Sequence, residues 1–218
     1  MNDQEMRDPL FDYLEGFYGK IRILEEKNTG ASRADVIGVI DGDLIGFEIK
    51  SDRDTYTRLK TQTVDYDAFF DFNYLAVGAS HQKHAHEHLP AHWGILVVHE
   101  SENGPIVEMD QIPARNNGAK LANQLSFLWR PELERLLVQN ELPLYRGRSK
   151  AFVQEKLLEK VEHAVLKKQI TDILFERDYS KLLAEIEAVR KEKALKRVKR
   201  VRRRVSVTLK KHARRTRR

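Results

Sequence analysis

Apolar positions along the chain fall into two periods, and the switches between them mark the elements. Met6, Leu10, Tyr13, Leu14 and Phe17 recur at helical spacing and predict an amphipathic helix over residues 3–19, ending near Gly19. Ile21 to Glu26 reads as a first strand and residues 28–32 as a turn. Two β-branched or bulky runs follow, Val36 to Ile40 and Leu44 to Ile49, joined by Asp41-Gly42, one of the strongest short hairpin signals. Beyond Lys50 the candidate caps Ser51, Asp52, Asp54 and Thr55 predict a helix over residues 54–71, with Leu59, Gln62, Tyr66 and Phe69 on one face. Asn73 to Gly78 is a fourth strand, residues 80–89 a short helix stopped by Pro90, and Trp93 to His99 a fifth strand. Residues 101–118, with their Gly, Pro and Asn, read as a loop with room for a short strand at 106–109. Helices then follow at 119–139, at 149–176 with a break near His163, and from 178 onward. This order predicts an α/β fold: a mixed sheet flanked by helices, with a helical C-terminal region. The expected divisions are residues 1–112, 113–188 and 189–218.

Charge sharpens the last boundary. The chain of 218 residues has a formal net charge of +6, and residues 189–218 hold 16 Lys and Arg against one acid, Glu192. Residues 1–188 hold 23 basic and 32 acidic residues, a net of −9, so the basic balance describes a tail on an acidic body. A tail with Arg200, Arg202, Arg203 and Arg204 attracts a phosphate backbone without reading its sequence. RNA, an anionic membrane or a partner protein would answer to the same charge, and disorder, or helix only when bound, is the expectation for it. With no cysteine, neither a disulfide framework nor a Cys-ligated zinc site is available. No run of 18 apolar residues and no basic leader occurs, so the expectation is a cytoplasmic protein that is not embedded in a membrane.

The hairpin also holds the candidate chemistry. Alternate side chains of a strand share a face, so Glu48 and Lys50 point the same way at the end of the second arm, with Ile49 opposite. Pairing brings Asp35 from the first arm close to both. Two acids beside a lysine can hold a hard divalent cation, Mg²⁺ or Mn²⁺, and activate a water against a phosphodiester. Glu-x-Lys alone is common on solvated strand faces. Its place after an apolar strand, with an Asp on the preceding arm and Gln62-x-x-x-Tyr66 on the following helix, is what singles it out.

This Asp-x12-Glu-x-Lys pattern resembles the PD-(D/E)XK nuclease superfamily. Arg33-Ala34-Asp35-Val36, Gly46 to Thr55, Arg58-Leu59, Gln62, Tyr66, Val77-Gly78, His81, Pro90, Trp93-Gly94 and Leu128-Trp129-Arg130 are similar to a bacterial family of that superfamily designated mainly by a locus-tag name. The resemblance spans about residues 5–176 and is densest at 33–66. It implies a restriction-endonuclease-like fold and a DNA-directed nuclease. On that basis Asp35, Glu48 and Lys50 are the catalytic residues with Gln62 in support, and Asp35 and Glu48 are metal ligands. The family's further glutamate at the end of the first strand falls on Glu25 or Glu26, with strand parity favouring Glu26. Arg33, Arg53 and Tyr66 are expected near the nucleic acid, together with the tail arginines. Family members carry Trp-Trp-Gly where this chain has His92-Trp93-Gly94, a departure that concerns packing. An upstream His found in the helicase-associated exonucleases of the superfamily is absent before His81.

Two other groups of residues bear on function. His81, His84 and His88 share a helical face at a spacing plausible for zinc, but no further ligand closes a site, so a polar helix face is the expectation, with His81 near the substrate groove. Residues 119–176 could build a helix-turn-helix or simply cover one face of the sheet. The sequence thus points to metal-dependent hydrolysis of DNA, in repair or recombination or in phage or mobile-element defence. Its rival is a non-catalytic nucleic-acid-binding regulatory protein that keeps the fold and binds through tail and helices. A homodimer and a partner protein both remain open.

Overall fold

A computed structural model of the chain describes residues 1–177, the side chains of residues 26–28 excepted. Helix α1 (Asp3–Tyr18) opens with a capping box, in which Asn2 Oδ1 accepts from Glu5 N–H at 3.0 Å and Glu5 Oε2 from Asn2 N–H at 2.7 Å. Three antiparallel strands follow: β1 (Arg22–Thr29), β2 (Ser32–Ile40) and β3 (Asp43–Lys50). The Asp41-Gly42 turn closes the β2–β3 hairpin as the sequence predicts, with Gly42 at φ 78°. Helix α2 (Leu59–Asp67) crosses over to β4 (Phe72–Gly78), which pairs parallel to β3. A short helical stretch containing α3 (Gln82–Ala85) leads to β5 (Gly94–Ser101), parallel to β4, and β6 (Gly104–Gln111) turns back antiparallel to β5. The sheet order is β1-β2-β3-β4-β5-β6. Helices α4 (Leu121–Ser126), α5 (Arg130–Gln139), α6 (Lys150–Lys160) and α7 (His163–Phe175) complete a mixed sheet flanked by helices.

Each face of the sheet has its own core. Met6, Leu10 and Leu14 of α1 pack on Val36, Ile45, Phe47, Ile49, Tyr74, Ala76, Leu96 and Val98. The opposite side chains of the same strands, such as Ile37, Leu44, Leu75 and Val97, are also buried. There Tyr66 of α2 lies against Phe70 and Trp93, with ring centroids 5.3 and 5.4 Å away, and Phe70 stacks on Phe127 at 5.9 Å. Helix α7 packs over β2 and β3, and Lys167 ties it to Asp43 at 2.8 Å and Asp71 at 2.5 Å. Residues 1–176 form one compact unit, so α4 to α7 are part of the body that contains the sheet. The tail and the helix expected from residue 178 lie outside the described residues.

Several elements differ from the sequence expectation. Helix α2 starts at Leu59 rather than near residue 54, because Asp54 turns back to accept from Ser51 N–H (2.9 Å) and Oγ (2.6 Å) and a 3₁₀ turn, Tyr56–Arg58, precedes it. It ends at Asp67 because Asp71 pairs with β3, its N–H donating to Leu44 O and its carboxylate accepting from Leu44 N–H. The expected loop at 101–118 contains the eight-residue β6. Pro105 is tolerated there because β6 is an edge strand. The helix expected over 119–139 breaks at residues 127–129 and restarts at α5, whose first turn holds Pro131 and whose Glu132 Oε2 accepts from Trp129 N–H at 2.7 Å.

Candidate active site

The register places the acids. Val36 pairs with Phe47, so Asp35 and Glu48 follow one step on, at the end of the β2–β3 ladder. Asp35 Oδ2 accepts from Ile49 N–H at 3.0 Å. Lys50 Nζ and Gln62 Nε2 both donate to Glu48 Oε1, while Tyr66 Oη donates to Glu48 Oε2 at 2.8 Å and accepts from Asp35 N–H at 3.2 Å. One buried hydroxyl therefore fixes a side chain of β3 and the backbone of β2. Glu48 and Lys50 are 1% and 5% exposed. Gln62 Oε1 is buried and has no hydrogen-bond partner among the described residues. Exchanging the amide atoms would set oxygen against Glu48 Oε1, so the network itself assigns them.

Above these groups opens a cleft of about 710 Å³. Asp35, Glu48, Ile49 and Lys50 form its floor at the end of the sheet. Asp3 and Arg7 of α1 line one wall, and Asp54, Arg58, Thr61 and Gln62, in and before α2, line the other. Although residues 1–188 are acidic overall, this lining carries Arg7, Arg33, Arg58 and Lys50 beside its acids. Burial, and then the charge of Glu48, raises the Asp35 carboxyl to about 6. Burial, followed by the charges of Glu48 and Asp35, holds the Tyr66 hydroxyl well above its ordinary 10, so it remains a protonated donor.

Of the residues expected at the site, Asp35, Glu48, Lys50, Gln62 and Arg33 line this one cleft. One expectation is corrected. Tyr66 is fully buried beneath Glu48 and presents nothing to a nucleic acid, because its ring fills the core between Phe70 and Trp93. Arg53 is exposed and is not among the residues that line the cleft. Glu25 pairs with Val36 in register, and thus lies on the α1 side of β1, where Arg7 Nη1 donates to it at 2.8 Å. The side chain of Glu26 and the tail residues Arg200, Arg202, Arg203 and Arg204 lie outside the described residues. The histidines do not converge: His84 pairs with Glu87 at 3.1 Å, while the His81 and His88 rings lie against Tyr56. His92 shares Asp67 Oδ1 with Trp93 Nε1, each at 2.9 Å, which is a packing role. Arg7 and Asp3 were missed; the i, i+4 spacing of an acid and an arginine beside buried Met6 was the only sign of them.

No group of three or more His, Cys, Asp or Glu side chains able to hold a metal occurs among the described residues. Asp35 and Glu48 give a pair of carboxylates, and Gln62, whose Oε1 is buried without a hydrogen-bond partner among the described residues, lines the same cleft. An all-oxygen donor set of this kind fits a small hard dication rather than a thiophilic one.

A family model described as "Bacteriophage P4 protein cII" matches residues 23–199. No curated protein matches the chain. Among solved structures, the SfsA protein of Pyrococcus furiosus in complex with Ca²⁺ matches at 16% identity and a TM-score of 0.30, over 51% of this chain and 60% of that one. A likeness at that level carries no argument, and the fold stands on the strand order and register given above. No helix among the described residues is long and apolar enough to cross a membrane.

Proposed function

We propose that this chain, which belongs to the bacteriophage P4 protein cII family, is a divalent-metal-dependent nuclease of the PD-(D/E)XK type that hydrolyses phosphodiester bonds of DNA. The observation that carries this reading is that Asp35, Glu48, Lys50 and Gln62 all line one cleft, with Lys50 and Gln62 both donating to Glu48. Asp35 and Glu48 would hold Mg²⁺ or Mn²⁺ with Gln62 Oε1 beside them. When bound, such a cation polarises the phosphate and stabilises the departing oxygen. Lys50, anchored on Glu48, orients the attacking water. Tyr66 keeps Glu48 in one rotamer, and Arg33 and Arg58 at the rim attract the strand.

The test is to incubate the purified protein with single- and double-stranded DNA in Mg²⁺, Mn²⁺ or EDTA, alongside Asp35→Ala and Lys50→Ala. Cleavage is expected only with metal, and a loss of at least about 100-fold is expected in each variant. Cutting in EDTA, or cutting indifferent to both substitutions, would sink the mechanism. One observation favours the non-catalytic alternative: Glu48 already accepts from Lys50, Gln62 and Tyr66 and could be a purely structural hub. On that reading the wild type binds DNA, and neither metal nor Asp35→Asn changes the affinity.

A further inference from the structure

The roles above leave one buried cation in the cleft without a task. The Arg7 side chain is 9% exposed, whereas the carboxylates that hold it, Asp3 and Glu25, are 46% and 53% exposed. Its Nε donates to Asp3 Oδ2 at 2.9 Å and its Nη1 to Glu25 Oε2 at 2.8 Å. A guanidinium offers five N–H donors in a rigid plane. Two bonds, one along α1 and one to β1, fix that plane, and the remaining N–H groups have no partner among the described residues. The fork lines the same cleft as Asp35, Glu48 and Lys50, on the wall facing Arg58 and Gln62. Asp35 is among the charges acting on Arg7, which places the guanidinium within electrostatic reach of that carboxylate. A tie between α1 and β1 does not need this arrangement, because Met6, Leu10 and Leu14 already bury the helix on the sheet.

We propose that Arg7 is a phosphate-holding residue, its free guanidinium edge donating to a non-bridging oxygen of the nucleic acid strand lying over Asp35 and Glu48. This rests on reading the cleft as a phosphodiester site. Asp3 and Glu25 offset much of its charge, so its contribution is direction more than long-range attraction. The exposed Arg58 opposite supplies the attraction.

The experiment measures binding of labelled single- and double-stranded oligonucleotides by fluorescence anisotropy, in EDTA and in Ca²⁺, with Mg²⁺-dependent cleavage and thermal unfolding in parallel. Arg7→Gln is expected to weaken binding about 10- to 100-fold at fixed salt, the range for a hydrogen bond to a charged group. Arg7→Lys is expected to restore only part, since an ammonium cannot present a fork. Glu25→Gln, which keeps an acceptor for Nη1, is expected to lose less affinity than Arg7→Gln. Unchanged binding by Arg7→Gln overturns the proposal, as does full rescue by lysine or a wild type that binds no nucleic acid. Equal losses in Arg7→Gln and Glu25→Gln that track equal drops in Tm also overturn it and make Arg7 a structural tie. If Arg7→Gln does not fold, Arg7→Lys and Glu25→Gln decide by the same criteria. A wild type that binds but never cuts with any metal overturns the hydrolytic reading alone, because the Arg7 test needs no turnover.

Discussion

Asp35 ties stability to the chemistry proposed for the cleft. The unfolded chain releases its proton near 3.8, and the fold holds it up to about 6, so a stabilising contribution present below pH 3.8 is lost as pH rises through 6. Above that range the charged carboxylate costs the fold up to about 3 kcal/mol. Asp35→Asn, which keeps an acceptor for Ile49 N–H, is therefore expected to raise Tm at neutral pH, with the gain closing as pH falls below 4. Differential scanning calorimetry across that range would show it, and an unchanged Tm at neutral pH would contradict it. Affinity for Mg²⁺ should fall as pH drops through about 6, because a proton competes with the cation for Asp35. Legibility also divides at this scale. Asp35, Glu48 and Lys50 could be read because strand alternation and one turn determine their neighbours. Helical spacing places Tyr66 on the correct helix face, but the depth of that face is not legible in the sequence, since its burial depends on Trp93 and Phe70. Arg7 was hidden because its contact with Glu25 forms only after α1 folds back over β1.

At the level of elements, the site depends on how closely α2 lies on β3. Gly46 permits that approach: a Cβ there would meet the Phe70 ring and come within 2.7 Å of Tyr66 Cδ1. Both rings belong to the core and have nowhere to retreat. Gly46→Ala is expected to cost about 1–3 kcal/mol by overpacking and to displace Tyr66 and Gln62 from Glu48. Urea unfolding with a cleavage assay on the same preparation tests both effects; a stable variant that keeps full activity would show that α2 can slide. The hairpin was legible from Asp41-Gly42 and its flanking β-branched runs, which are strong local signals. The start of α2, the presence of β6 and the break between α4 and α5 were not. Asp54 chose Ser51 over a capping role, β6 draws its pairing from β5 rather than from its own Gly-Pro sequence, and Pro131 starts a helix instead of being spanned by one.

For the whole molecule, the informative quantity is the division of charge between residues 1–188 and 189–218. An acidic body with a few cations in its cleft would attract DNA weakly on its own, while the tail raises the local concentration of any polyanion. Removing residues 189–218 is expected to lower affinity at low salt and to flatten the dependence of log Kd on log salt. It should leave the unfolding midpoint nearly unchanged, because residues 1–176 form a compact unit. A salt titration of both forms by anisotropy is sufficient; identical slopes would remove the tail from binding. The β6 edge bears on how copies of this molecule meet. Its outer strand carries Pro105, which has no N–H to offer, along with the exposed carboxylates Glu108 and Asp110, so a second sheet approaching there finds a missing rung and two like charges. A second strand pairing with β6 would therefore lack one hydrogen bond and bring like charges together.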